Sequence, residues 1–418
     1  MNKDIKVIGV ASIGGVFEFY DFVIFVLFAK IISKAFFDAG ESAFLALLSV
    51  YVIFAVGYFV RPVGGIILAH FGDRYGRKKV FTFTVFLMAL STFLIGFLPT
   101  YSQIGIAAPV LLLIFRILQG LAVGGEIPGS ATFVYEHMAD NLKCTGIAVL
   151  FAGLIGGILL GSVIGTVVTG SLSAHAVNIW GWRIPFLFGG VLGIVGVYLR
   201  KKLTETPAFV ELLQHNKQRK IPFLEVLKNY KKITFAGFGI TMTVAVTVTT
   251  FYMYLPVYLE KYYSYPSDVA FGYNCIGLIL YIIVIILWGR LKDKSNYKVS
   301  NLFITGAVAT FIMSIWGFYI MRTGNSFYMI FMYLILSIGI GGITATFCYM
   351  LTKIYPAEIR FSGVSTSYNI AFAVFGGLTP IINTLLCKNF NSPLAPIYFL
   401  VLSCIIGIIS AVYIRKLT

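Results

Sequence analysis

The chain has 418 residues, 59% of them hydrophobic and only 11% charged, with a mean hydropathy of +0.90. That balance excludes an ordinary soluble domain, in which about a quarter of the residues are charged. A net charge of +16 would point to nucleic acid in a soluble protein. Here the charges fall between long apolar runs, and no nucleic-acid partner is expected.

Twelve apolar runs succeed one another, at 7–32, 43–69, 80–98, 107–135, 146–170, 183–200, 233–258, 270–288, 299–321, 326–352, 363–386 and 396–414. Each has about 18 residues or more, enough to cross a hydrocarbon core as a helix. The first run carries Glu18 and Asp21 and has no convincing small-residue cleavage site, so it reads as a span rather than a removable leader. Between the second and third runs lies a charged hairpin, LAHFGDRYGRKKV (68–80), and between the eighth and ninth a worn copy, WGRLKDKSNYKV (288–299). A charged turn in the same place in each half is what a duplicated, six-plus-six arrangement leaves behind.

The expected organisation is therefore all-α and membrane-embedded: one six-helix bundle at 1–200, a basic linker at 201–232, and a second bundle at 233–418. Within the linker, IPFLEVLKNYKK (221–232) groups Phe223, Leu224, Leu227 and Tyr230 on one helical face. That suits a helix lying on the membrane surface, or equally a solvated linker. If both termini are cytoplasmic, the inner segments hold 24 of the 32 Lys and Arg residues. Positive charge stays on the inner side during insertion, so the sequence reads as a multi-pass protein of a bacterial inner membrane with both ends inside, working as a monomer in the lipid bilayer. Small residues in span 5 (Gly153, Gly156, Gly157, Gly161, Gly165) and span 11 (Gly376, Gly377) should let helices approach closely.

An ionisable side chain at membrane depth costs at least about 2.5 kcal/mol and normally faces a cavity or a partner. Five qualify, all in the first half: Glu18 and Asp21 in span 1, Arg61 in span 2, Arg116 and Glu126 in span 4. Glu18 and Asp21 share a helical face. The rise per residue suggests two clusters, Glu18–Arg61–Glu126 and Asp21–Arg116. Low dielectric favours a protonated carboxyl and a nearby guanidinium an ionised one, so a moving arginine can load and unload a proton. Glu18, Asp21 and Glu126 are the proton-coupling candidates, Arg61 and Arg116 their charge partners.

Polar and aromatic residues on the spans supply candidate solute contacts: Tyr20, Tyr51, Tyr252, Tyr254, Tyr349, Tyr368 and Asn369. Aromatic faces can hold a quaternary ammonium, though packing is the commoner use of such rings. The five cysteines and four histidines are scattered. No metal or cofactor is expected, and no nucleophile–base pair supports an enzyme.

Seven stretches, GGVFEFYDF (14–22), RPVGG (61–65), GDRYGRKK (72–79), RILQGLAVGGE (116–126), WGWRIPF (180–186), ETPAF (205–209) and FGGLTP (375–380), together resemble the metabolite:proton symporter branch of the major facilitator superfamily. Within it, STFLIGFLPTYSQIGIAAPVLLL (91–113) looks most like the proline/betaine osmoprotectant symporters. The resemblance implies two pseudo-symmetric six-helix bundles and import of a small organic solute with protons by alternating access, the solute being an osmolyte such as proline or betaine, or an organic acid. It further implies an inner gate, with Asp73 near the start of span 11, Arg77 reaching Glu136, and Arg360 a second partner for Asp73. The worn hairpin, with Asn296 in place of Gly76, should gate more weakly. Those symporters carry a long C-terminal tail; this chain ends at Thr418, so regulation through such a tail is not expected. Exporters of this superfamily carry GPxxGG in span 5; GSVIGTVVTG (161–170) lacks the proline, which favours import over export of a drug or siderophore.

Overall fold

A lipid-embedded chain must satisfy its backbone polar groups internally, which long helices do. The computed structural model describes residues 3–38, 40, 42–65, 67–68, 77–201, 226, 228–323, 325–356 and 359–417, and no strand occurs among them. The spans are, in order, Lys3–Leu27 continued as Ala29–Phe36 (span 1), Ala43–Gly65 (span 2), Arg77–Phe97 (span 3), Ala107–Glu136 (span 4), Lys143–Ser171 (span 5), Arg183–Lys201 (span 6), Lys231–Tyr263 (span 7), Ser267–Lys294 (span 8), Val299–Ile320 (span 9), Ser326–Ile354 (span 10), Arg360–Asn389 (span 11) and Pro396–Leu417 (span 12).

Among the described residues nine of these helices are long and apolar enough to cross a membrane. A tenth is span 6 taken with the helical turn before it, Ala174–Gly181, bent by 47°. Span 1 carries the two acids, and the apolar part of span 3, Thr82–Phe97, is shorter. Most of the linker, and with it half of the expected surface helix at 221–232, lies outside the described residues, as does Asp73.

Several spans are interrupted. Span 4 breaks at Gly124–Gly125, so that Glu126 opens a new helix, Glu126–His137. Among the described residues three π-helical turns occur, Val177–Gly181, Thr249–Tyr254 and Phe372–Gly376. Each contains the residue four before a proline (Pro185, Pro256 and Pro380). A proline ring clashes with the carbonyl four residues back and supplies no N–H; a wider turn absorbs both defects.

Spans 2 and 4 meet backbone to backbone. A Cβ on Gly120 would overlap the carbonyl of Gly57, and one on Gly124 the carbonyl of Arg61 and the backbone of Gly65. The same proximity sets Gly64 on Leu121. This close crossing fixes where the side chains of Arg61 and Arg116 emerge.

The two six-span halves are tied together at several levels. At the end bearing the described hairpin (the hairpin end), Arg360 Nη1 lies 2.7 Å from Glu136 Oε1, joining spans 11 and 4. At the opposite end, Lys30 Nζ lies 2.5 Å from Glu260 Oε1, joining spans 1 and 7. Between them, Asn274 Nδ2 donates to Ser162 Oγ at 2.8 Å, joining spans 8 and 5.

The crossing yields a packing test. Gly120→Ala should destabilise the detergent-solubilised protein by about 1–3 kcal/mol through overpacking, read as a lowered unfolding midpoint. Gly156, whose Cβ would meet nothing within 4 Å, is the control, and Gly156→Ala should stay within about 0.5 kcal/mol. Equal behaviour of the two variants would remove the crossing from the account.

Candidate functional site

Among the described residues, five charged side chains are buried: Glu18, Asp21, Arg61, Arg116 and Glu126. They are the five singled out by sequence, and all belong to the first half. The structure does not keep them in two clusters. Both guanidiniums face one ring, Phe22, with the Arg61 Cζ 4.1 Å and the Arg116 Cζ 4.6 Å from its centroid. Arg61 also lies 4.0 Å from the Tyr58 ring centre, and Arg116 4.3 Å from Phe25 and 5.6 Å from Phe54. A desolvated guanidinium gains about 2 kcal/mol from each well-placed ring, so aromatic faces stand in for the water these cations have lost.

Tyr58, which the sequence reading passed over, is the hub. Its hydroxyl is within electrostatic reach of Arg61, Arg116 and Glu18, and Tyr368 of span 11 is within reach of Arg61, Glu18 and Tyr58. Tyr51, Phe54 and Tyr58 recur at helical spacing on span 2, which is the only signal that could have picked Tyr58 out.

Arg116 is anchored through other side chains. Arg116 Nη1 donates to Gln119 Oε1 at 2.7 Å, and Gln119 Nε2 donates to Thr92 Oγ1 at 2.6 Å. Thr92 Oγ1 itself donates to the Met88 carbonyl at 3.0 Å, and Asp21 lies within electrostatic reach of Arg116. Thr92 and Gln119 were not foreseen, although Gln119 stands three residues from Arg116 within RILQG, the spacing at which helical neighbours meet. Glu126 sits in the first turn of its helix, where the dipole favours a negative charge.

The seven candidate solute contacts separate. Tyr368 joins the arginine cluster and stacks on Phe372, ring centres 4.5 Å apart. Tyr51 and Tyr254 meet edge to face at 5.9 Å across the halves, and the Tyr254 hydroxyl lies 3.1 Å from Thr384 Oγ1. Tyr20 instead donates to the Pro185 carbonyl at 2.7 Å, inside the first half. Tyr252 stacks on Tyr281 and bonds Ser337 within the second half. Tyr349 packs on Tyr135 towards the hairpin end. Asn369 Nδ2 donates to the Gly124 carbonyl at 2.7 Å, capping the break in span 4.

Of the gate candidates, Asp73 and the side chain of Arg77 lie outside the described residues. Glu136 is engaged by Arg360, whose Nε also donates to the Thr352 carbonyl at 2.8 Å. The worn hairpin makes a contact of the kind expected of the first. Asp293 accepts from the backbone N–H groups of Cys144 at 3.2 Å and Thr145 at 2.7 Å, capping the first turn of span 5. Negative charge is favoured at a helix N-terminus, so this acid ties span 8 to span 5 across the halves.

Two six-helix halves tied across their interface, together with the family and relatives that match, make this a multi-pass membrane transporter of small solutes rather than an enzyme. The family model of the Major Facilitator Superfamily matches residues 11–360, and the chain belongs to that family. The "Proline/betaine transporter" of Escherichia coli (strain K12) is 32% identical, covering 98% of this chain and 83% of that protein. A Staphylococcus aureus (strain COL) relative, 33% identical over all of this chain and 89% of its own length, carries the same designation in provisional form. Among solved structures, the xylose transporter XylE from E. coli, in a partially occluded inward-open conformation, superposes with a TM-score of 0.77 at 17% identity, covering 100% of this chain and 98% of that one. A D-xylose-proton symporter gives 0.76 at 17% identity, over 98% and 97% of the two chains. At that identity the likeness carries the fold, twelve helices in two pseudo-symmetric bundles.

The span 8–span 5 cap generates a prediction. Asp293→Asn should loosen the hairpin end, and a Thr145→Cys reporter in a cysteine-depleted background should then react several-fold faster with a polar maleimide. An unchanged labelling rate would mean that the cap does not hold this end closed.

Proposed function

We propose that this protein imports a zwitterionic osmolyte of the proline or betaine class together with protons, by rocking of two halves, 1–200 and 233–418, about a central site. The observation that carries the reading is the buried group of Glu18, Asp21, Arg61 and Arg116 wrapped in aromatic rings. Titratable acids next to guanidiniums can exchange protons as the pairing changes. Ring faces and guanidiniums together suit a solute that carries both a quaternary or secondary ammonium and a carboxylate. The names of the relatives point the same way.

In this reading Glu18 or Asp21 takes the coupling proton, with Glu126 the next candidate, and Tyr51, Tyr254 and Tyr368 face the solute. Asn369, Tyr20, Tyr252 and Tyr349 have structural hydrogen bonds or ring partners and rank behind them. The hairpin end is cytoplasmic, as are both termini, because basic residues concentrate there. Asp73, Arg77, Glu136 and Arg360 close that end, and the Lys30–Glu260 pair closes the other. The protein works as a monomer in a bacterial inner membrane.

The test is reconstitution. Proteoliposomes should accumulate labelled proline or betaine when an inward proton gradient is imposed, and a pH-sensitive dye should report proton entry. Asp21→Asn or Glu18→Gln should abolish accumulation while leaving exchange of solute down its own gradient. If both variants accumulate solute with proton influx intact, the coupling site is elsewhere; if citrate, 2-oxoglutarate or shikimate is taken up instead, the osmolyte reading falls.

A further inference from the structure

Among the described residues Arg116 is the most enclosed cation, with 0% of its surface exposed. Its Nη1 is used by Gln119. Its Nε and Nη2 make no hydrogen bond to any described residue. These two nitrogens form the side-on edge of the guanidinium, whose parallel N–H bonds match the two oxygens of one carboxylate. A buried donor without an acceptor is costly, and here a complete two-donor fork is left in that condition. Asp21 interacts with Arg116 electrostatically but accepts no hydrogen bond from its Nε or Nη2. The relay Thr92–Gln119–Arg116 thus anchors the guanidinium through Nη1 while leaving the fork open.

The enclosure around the fork is apolar and rigid. Phe22, Phe25 and Phe54 lie against the guanidinium, and Gly57 brings its backbone close, with a Cβ there 3.8 Å from the Arg116 Nε and 3.3 Å from its carbonyl. Arg61, 1% exposed, adds a second cation across the shared Phe22 ring, with its own Nε and Nη1 unbonded among the described residues. Two guanidiniums with four unused nitrogens between them converge beside Tyr58.

We infer that the Nε–Nη2 edge of Arg116 is the receptor for the carboxylate of the transported solute, with Arg61 as the second cation of the same subsite. This deepens the functional reading above and rests on it for the solute's entry to the site, but it commits to less: any carboxylate-bearing solute satisfies it. Gln119 is a positioning residue, orienting the guanidinium so that the fork faces away from the relay. The ammonium of a betaine then lies toward the Tyr51–Tyr254 pair between the halves, whose rings can receive it.

The experiment measures binding by purified, full-length protein in detergent, by isothermal titration and by displacement of labelled glycine betaine. Choline, which keeps the quaternary ammonium and replaces the carboxylate by a hydroxymethyl group, is the comparison ligand. Wild type should bind glycine betaine about 10- to 100-fold more tightly than choline, the range a charge-assisted bidentate contact supplies. Arg116→Lys, which keeps the charge and loses the fork, and Arg116→Gln should both erase that preference, with choline binding changed by less than about 3-fold. Gln119→Leu should weaken betaine binding less than either and leave the preference for it. Equal binding of choline and betaine by the wild type overturns the inference without any variant, so a misfolded mutant cannot shelter it. Retention of the preference in Arg116→Lys also overturns it. If the wild type binds an organic acid rather than betaine, and Arg116→Lys loses that binding, the osmolyte reading fails and the carboxylate receptor stands. If no carboxylate-bearing solute of the panel binds, both fall.

Discussion

The structure depends on one close approach, the crossing of spans 2 and 4 with no side chain between them. Gly57, Gly64, Gly120 and Gly124 bring the two backbones together, and lipid offers no hydrophobic drive to do this, so van der Waals fit must. With the axes that close, the guanidiniums of Arg61 and Arg116 both come to lie against Phe22. Two like charges near one ring repel, and they are tolerated because the rings of Phe25, Phe54 and Tyr58 and the acids of span 1 compensate. The glycines therefore matter to the chemistry although none carries any.

The same logic accounts for the breaks. Gly124 and Gly125 end the first part of span 4, which frees the Gly124 carbonyl to accept from Asn369 Nδ2 of span 11 and lets Glu126 begin a fresh helix. A backbone interruption at membrane depth is tolerated only where protein covers it. Here the cover comes from the opposite half, so the interruption is also a place where the halves grip each other. The prolines of spans 7 and 11 act similarly: each produces a π turn, and Asn383 Nδ2 donates to Thr250 Oγ1 at 3.1 Å close to both turns.

Much of this was legible in the chain. Apolar runs and charged hairpins gave the twelve spans, and the insertion cost of a charge singled out the five buried ionisable residues by number. Depth along each helix did not resolve how they group: the rise per residue orders Glu18, Arg61, Asp21 and Arg116 along an axis but says nothing of azimuth, and Phe22 collapses two expected clusters into one. Thr92, Gln119 and Tyr58 were missed because an uncharged polar residue in a span is unremarkable until its neighbours are known. The worn hairpin is expected to gate more weakly for want of its glycine, yet what Asp293 needs is only a free helix N-terminus in the other half, which no local motif records. The boundaries erred in a consistent direction at the solvent-facing ends: spans 5, 8 and 11 run past their apolar cores to Lys143, Lys294 and Asn389, since a helix continues into charged sequence where nothing breaks it.

All five buried charges ride on the first half, and the second half is electrically blank at membrane depth among the described residues. Rocking one half against the other then carries no compensating pairs past each other, and the fixed charges travel together. Whatever net charge crosses the membrane field in a cycle is the charge of the cargo itself. A neutral zwitterion with one proton would move a single positive charge, so the membrane voltage would add about 2.3 kcal/mol per 100 mV to its accumulation, and turnover would register as a current.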